Sequence, residues 1–419
     1  MFPALVRCGV EDSGLTDKAR SGPVHSRRRF LRVLGGSALL GLAGCAQTGV
    51  GGLGRGLLAR GPAAAPTGEV LGSGTVRVAL LLPLTATGNA GQLAQNLKNA
   101  ADLALRDFQS ANITMLVKDT RGTTDGARVA ASAAISEGAE LILGPLFAAS
   151  VASVAQVARP ASVPVIAFST DTSKASRGVF LLSFLPRSDV DRIVGFAAQQ
   201  GKRSYATLLP NTAYGTVVEA ALRRAVANSG GRVTQIARYQ LDQLSMQTQA
   251  TAIANLARTG TVDTIFMPDA GDAAPFLAQI LATNGVSPEQ IQFIGSGQWD
   301  DQRIADETNL NGGWYPAPER NGFAAFAERY RAAFGAAPFR AATLAYDATS
   351  LAAGLASRFG QDRFSLQTLT NPNGFIGIDG AFRFLANGTN QRGLAIYQIN
   401  RGTSEVIDQA PRTFSRPGA

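Results

Sequence analysis

The sequence predicts an α/β protein of two Rossmann-like lobes, each built on a parallel sheet. Three observations carry this. Short apolar runs alternate with longer stretches of helical periodicity. The alternation pauses near Arg187 and begins again with the same rhythm. The chain has 419 residues, more than the roughly 250–300 at which a single core stops growing.

The first block opens at 76–84, a continuous apolar run of the kind found in strands covered on both faces. Over 89–109, Leu93, Leu97, Ala101, Ala104 and Phe108 fall on one helical stripe. Strand is expected at 113–119, an Ala-rich helix at 124–137, strand at 141–146, helix at 150–159 and strand at 163–169. The second block repeats the pattern. Strands are expected at 204–209, 233–239, 264–268 and 291–295, and helices at 214–229, 246–258 and 273–284. The stretch 323–401 reads as two or three helices followed by a β-hairpin.

Composition excludes several functions. Apolar residues make up 45 % and charged residues 16 %, which suits a globular chain. His25 is the only histidine, and Cys8 and Cys45 are the only cysteines. The body after Cys45 therefore has no Ser–His–Asp or Cys–His arrangement, no usual zinc site and no internal disulfide. The residues three before the lysines of the body are Gln95, Met115, Asp171 and Gln199, so Ser-x-x-Lys is missing too. Asp300 and Asp301 are adjacent in sequence, which does not aim both at one substrate bond. The net charge is +9. Residues 1–45 carry seven basic and three acidic side chains, hence +4, which leaves +5 for the rest. Beyond that segment no basic run is interleaved with aromatics, so nucleic acid is not an expected partner. No cofactor is expected.

Residues 26–45 form a cationic stretch, twelve mostly apolar and small residues, and a small-residue site, which is a signal peptide and too short to span a bilayer. Ser26 followed by Arg27, Arg28, Arg29, Phe30 and Leu31 resembles the twin-arginine export signal. Leu42-Ala43-Gly44-Cys45 resembles the lipobox of bacterial lipoproteins, which implies lipid on Cys45 and a membrane anchor. Gly, Ala, Pro and Thr dominate 46–75, as expected of a flexible tether.

In open α/β sheets, ligands sit beyond the carboxyl ends of strands. Ser169, Thr170 and Thr172 follow one strand; their hydroxyls and free backbone N–H groups can hold a carboxylate, and the plain alternative is a cap or turn. Tyr214 either reaches into a cleft or packs at a helix start. Asp269 and Asp272 flank Gly271 and either hold a ligand amine or cap a helix. Trp299, after Gly295-Ser296-Gly297, either closes the cleft or packs inside.

These strand ends resemble the type I periplasmic binding proteins, the fold of branched-chain amino acid receptors. Leu80 to Thr85 with Gly88, Ile142 to Leu146, Val163 to Thr170, and the late run Gly374, Gly377, Gly380, Phe382, Phe384 and Gly388 carry the resemblance, which covers about 76–402. It implies two lobes joined by a multi-crossing hinge, with crossings near Arg187, 313–318 and 374–380. The expected organisation is 1–45 signal peptide with an amino-terminal extension, 46–75 linker, and 76–402 binding-protein domain. The first lobe is about 76–187 plus 319–373, the second about 188–312 plus 374–402, and 403–419 is a tail. Gly144-Pro145-Leu146-Phe147, the segment 164–169, Leu208-Leu209-Pro210 and Tyr214-Gly215 are most similar to the penicillin-binding protein activators. That resemblance implies a non-enzymatic outer-membrane lipoprotein that docks on a peptidoglycan synthase, with Leu146 and Phe147 among the cleft residues. The alternative branch is the substrate-binding lipoproteins of ABC importers for branched-chain amino acids or related small polar ligands.

Overall fold

The structure, a computed structural model, describes residues 63–108 and 111–414. The export signal and Cys45 lie outside these residues.

The first lobe is built from β1 (Val70–Leu71), β2 (Val76–Leu82), α1 (Asn89–Asp107), β3 (Ile113–Asp119), α2 (Thr124–Ser136), β4 (Leu141–Leu143), α3 (Ala148–Ala158), β5 (Val165–Ala167) and β6 (Val179–Leu181). Its sheet runs β1-β3-β2-β4-β5-β6, parallel throughout except for β1. Side chains alternate between two cores, as strand geometry requires. Val78, Leu80 and Leu82 face one, and Ala79 and Leu81 face the other under α2 and α3.

The chain then enters the second lobe through α4 (Pro186–Gln199), β7 (Ser204–Pro210), α5 (Ala213–Asn228), β8 (Arg232–Tyr239), α6 (Gln243–Ala257), β9 (Thr264–Phe266), α7 (Ala273–Thr283), β10 (Gln292–Ile294), α8 (Gln302–Ala305) and β11 (Trp314–Ala317). It returns to the first lobe as α9 (Arg320–Phe334), α10 (Ala342–Arg358), α11 (Leu366–Leu369), β12 (Phe375–Gly377), β13 (Gly380–Phe384) and β14 (Asn390–Arg392). It finishes in the second lobe with β15 (Ala395–Asn400) and β16 (Thr403–Asp408). The second sheet runs β16-β15-β11-β10-β9-β7-β8, with β15 and β16 antiparallel to their neighbours. Each lobe therefore repeats one parallel order, second strand, first, third, fourth, fifth. The expected two-lobed parallel architecture is the one observed.

Among the described residues, three connections cross between the lobes before β16, at 182–185, 318–319 and 393–394. The third differs from the expected 374–380. Residues 375–392 form a small antiparallel sheet, and its Phe375, Phe382 and Phe384 pack into the core of the first lobe. Asp347 of α10 fixes this sheet by accepting the N–H of Ile378 at 2.7 Å. Gly377 leaves room for that carboxylate, which a Cβ would strike.

Two other expectations change. Part of the 46–75 linker is docked. β1 pairs with β3, and Lys118 Nζ bonds the carbonyl and hydroxyl of Thr67 and, at 2.8 Å, Glu137. Residues 403–408 of the expected tail are the edge strand β16. Among described residues, no helix is long and apolar enough to cross a membrane.

Candidate functional site

The strand order reverses direction between β2 and β4 in one lobe and between β7 and β9 in the other. Loops diverge at such switch points and leave a crevice beyond the strand ends. The sequence-derived residues lie in, or just after, the loops that follow the strand ends of the two lobes.

On the first lobe, Leu146 and Phe147 follow β4. Leu146 packs against the core, and Phe147 is half-buried at the start of α3. Ser169, Thr170 and Thr172 follow β5 in one loop. Ser169 is buried, and its hydroxyl accepts the N–H of Asp171 at 3.2 Å. Thr170 and Thr172 are exposed. Asp171 caps the single turn Thr172–Lys174 by accepting the N–H of Ser173. Its carboxyl is held below the usual carboxylate range chiefly by Ser173. The turn start that was to receive a ligand carboxylate thus already carries one of the chain's own.

On the second lobe, Tyr214 stands in the first turn of α5. Its hydroxyl lies 3.1 Å from the Pro268 carbonyl and 3.0 Å from Ser296 Oγ. Ser296 donates to the same carbonyl at 2.7 Å. Burial pushes the Tyr214 phenol above its ordinary range, so it stays protonated. The phenol has one proton and two neighbours to share it with, so its oxygen keeps acceptor capacity. Asp269 lies in the loop after β9 as a fixed carboxylate. Oδ2 accepts from Tyr239 at 2.7 Å and Oδ1 from the Ala270 N–H at 2.9 Å.

Two of the candidates do not serve as expected. Asp272 is 91 % exposed, lies 3.5 Å from Arg303 and makes no capping bond to α7. It is a solvated surface charge. Trp299 is completely buried in the second core. Its ring lies against Gly295 and Gly313, where a Cβ would collide with the indole. It therefore packs inside and does not close the cleft.

Asp189 was missed. It sits in the first turn of α4, beside the first crossing, and accepts the Gly297 N–H at 3.0 Å. Burial pushes its carboxyl up to about 7, against the pull of that N–H and of Arg392. Arg392, on β14 just before the third crossing, is buried, donates to the Ser183 carbonyl at 3.1 Å and stacks on Phe184 at 4.6 Å. The signal available was Pro186 followed by an acidic first turn, the mark of a helix start. Among described residues, no three His, Cys, Asp or Glu side chains gather as a metal site.

Two α/β lobes of the same strand order, joined by crossings and carrying hydroxyls and a hydrogen-bonded carboxylate beyond the strand ends, have the architecture of two-lobed binding proteins. The periplasmic binding protein family model matches residues 75–404, and the chain belongs to that family. A putative branched-chain amino acid ABC transporter protein from Rhodospirillum rubrum superposes with a TM-score of 0.70 at 19 % identity, over 79 % of this chain and 99 % of that one. An ABC transporter substrate-binding protein from Desulfitobacterium hafniense, in complex with Leu, gives 0.56 at 16 % identity over 79 % and 99 %. A solute-binding protein from R. palustris, in complex with benzoate, gives 0.52 at 18 % over 81 % and 97 %. At these identities the likeness is one of fold. No curated protein sequence matches the chain.

Proposed function

We propose that the chain is the solute-binding lipoprotein of an ABC importer and takes a small polar ligand between its lobes, branched-chain amino acids being the first candidates. The observation that carries this reading is the Asp269 carboxylate, held by Tyr239 and Ala270 beside Tyr214 at a switch point. A carboxylate already fixed by neighbours loses little entropy on meeting a ligand amine. Of the two acids considered for the ligand amine, Asp269 takes that role. The exposed hydroxyls of Thr170 and Thr172 serve the opposite end of the ligand, with Ser169 holding their loop. The named ligands of solved relatives, leucine and benzoate, are small acids, in keeping with this reading. The function is binding without catalysis. Lipid on Cys45, following export through the Arg27–Leu31 signal, keeps the protein in the periplasm at a membrane; the outer membrane belongs to the activator reading below.

The second reading is the activator of a peptidoglycan synthase, which rests on the strand-end motifs at 144–147 and 164–169. Importer receptors with solved structures share the fold over nearly their whole length, which favours import. Thermal-shift measurement against amino acids and small carboxylates separates the two. Import requires a saturable rise in melting temperature with at least one compound. No shift with any compound, together with faster glycan polymerisation when the protein is added to a synthase, would replace it with the activator.

A further inference from the structure

The carboxyl-terminal residues form a link that the three covalent crossings do not account for. After β16 the chain does not stay with the second lobe. Arg192 of α4 holds its start, bonding Asp408 at 2.7 Å and the Gln409 carbonyl at 3.4 Å. The same guanidinium donates to the Leu394 carbonyl of the third crossing at 2.7 Å. The Ala410 N–H then reaches Glu319 in the second crossing at 3.4 Å. Pro411 lies on Gly393, where a Cβ would sit 2.6 Å from the Pro411 carbonyl. The path ends on the first lobe, where Arg383 stacks on the Phe414 ring at 4.7 Å.

The landing site is prepared. Arg383 is held by Gln391 at 2.9 Å and by the Pro372 carbonyl at 3.0 Å, so its guanidinium is fixed before Phe414 arrives. Gly374 lacks the Cβ that would come within 2.9 Å of the ring. Pro411 narrows the conformations open to the free segment. Five extended residues cover about 17 Å, and they run from Glu319 at the second crossing to Arg383 on the first lobe. A segment rooted in one lobe, laid over two crossings and clipped to the other lobe is stretched or released when the lobes rotate.

We propose that residues 410–414 are a strap that restrains lobe opening, with the Phe414–Arg383 stack as its releasable clip. Rotation that separates the lobes pulls Phe414 away from Arg383, together with the Thr413 hydroxyl that donates to the Asn373 carbonyl at 3.5 Å beside it, because the contacts of residues 408–411 lie at the hinge and move least. The strap therefore biases the protein towards the arrangement in which the clip is made. This holds whichever ligand or partner the cleft serves.

The test measures the inter-lobe distance without ligand. In full-length protein carrying C8S and C45S, spin labels go on Val129→Cys in α2 and Gln247→Cys in α6, both exposed positions, and distances are read by double electron–electron resonance. F414A and R383A should each raise the ratio of open to clipped populations roughly two- to fivefold, the worth of one cation–π contact near the surface. F414Y should keep the original distribution. Removal of all residues after Gln409 should open the distribution further. An unchanged distribution in both F414A and R383A overturns the proposal, even if the truncated chain fails to fold. So does F414Y behaving like F414A.

Discussion

Replacing Lys118 with methionine tests how the amino-terminal segment is fastened. Lys118 is 8 % and Glu137 3 % exposed, with Nζ 2.8 Å from Oε1. Glu137 also accepts from the Thr67 hydroxyl, and its other oxygen has no partner among the described residues. Burial alone would raise this carboxyl; the bonds from Lys118 and Thr67 outweigh it and hold it below the ordinary value. Lys118→Met leaves a buried carboxylate with no cation and should cost about 3–5 kcal/mol. Lys118→Met with Glu137→Leu puts apolar groups in both places and should cost less than the single change, because no charge is stranded. Urea unfolding gives these values, and limited proteolysis should show faster cutting around 63–71 in the single variant. The pH slopes should also differ in sign. The depressed carboxyl gives wild type a stability that is present above its ordinary value of 4.5 and lost as pH falls. In Lys118→Met the carboxyl is raised, so that protein loses stability as pH rises past the same value. A single-variant loss under about 1 kcal/mol, the worth of a surface pair, or strict additivity in the double variant would refute the reasoning.

Three further outcomes follow from the same structure. Asp189 is raised from 3.8 to about 7, so the folded state keeps a proton that the unfolded state has released between these values; the melting temperature of wild type relative to Asp189→Asn should fall from pH 4 to pH 7 and then level off, and a difference that does not change with pH would contradict this. Gly295→Ala drives a methyl group into the Trp299 ring and should cost about 1–3 kcal/mol in chemical denaturation, whereas a neutral effect would mean that the indole can move aside. Cys45→Ala should move the protein from the membrane fraction to the soluble periplasm and abolish lipid labelling; retention in the membrane would remove the anchor.

The long elements were legible because each carries enough residues to show a period. β2, β3 and α1 lie where the apolar runs and the Leu93–Leu97–Ala101–Ala104 stripe put them. β6 and β11 span three and four residues, too few for any periodicity. α4 could have been found, since Val190, Ile193, Val194 and Ala197 are buried on one stripe behind Pro186. The third crossing was misplaced because glycines and phenylalanines at 374–388 mark a turn-rich sheet without saying which core it covers. Strand-end reasoning led to Tyr214 and Asp269, and the structure puts both at the switch point of the second sheet. It did not separate Asp269 from Asp272, three residues apart, because the choice depends on Tyr239 arriving from another strand. Trp299 was aimed at the cleft because nothing local shows that Gly295 and Gly313 make a slot for its ring.

In the proposed function the cleft binds a small ligand through Asp269. Calorimetric titration of wild type and Asp269→Asn with the compound giving the largest thermal shift tests it most directly. Losing one charge-assisted hydrogen bond costs about 1.5–3 kcal/mol, so Asp269→Asn should bind roughly ten- to a hundredfold more weakly at one-to-one stoichiometry. Equal affinity in the two proteins, or no heat of binding in either, would contradict the account.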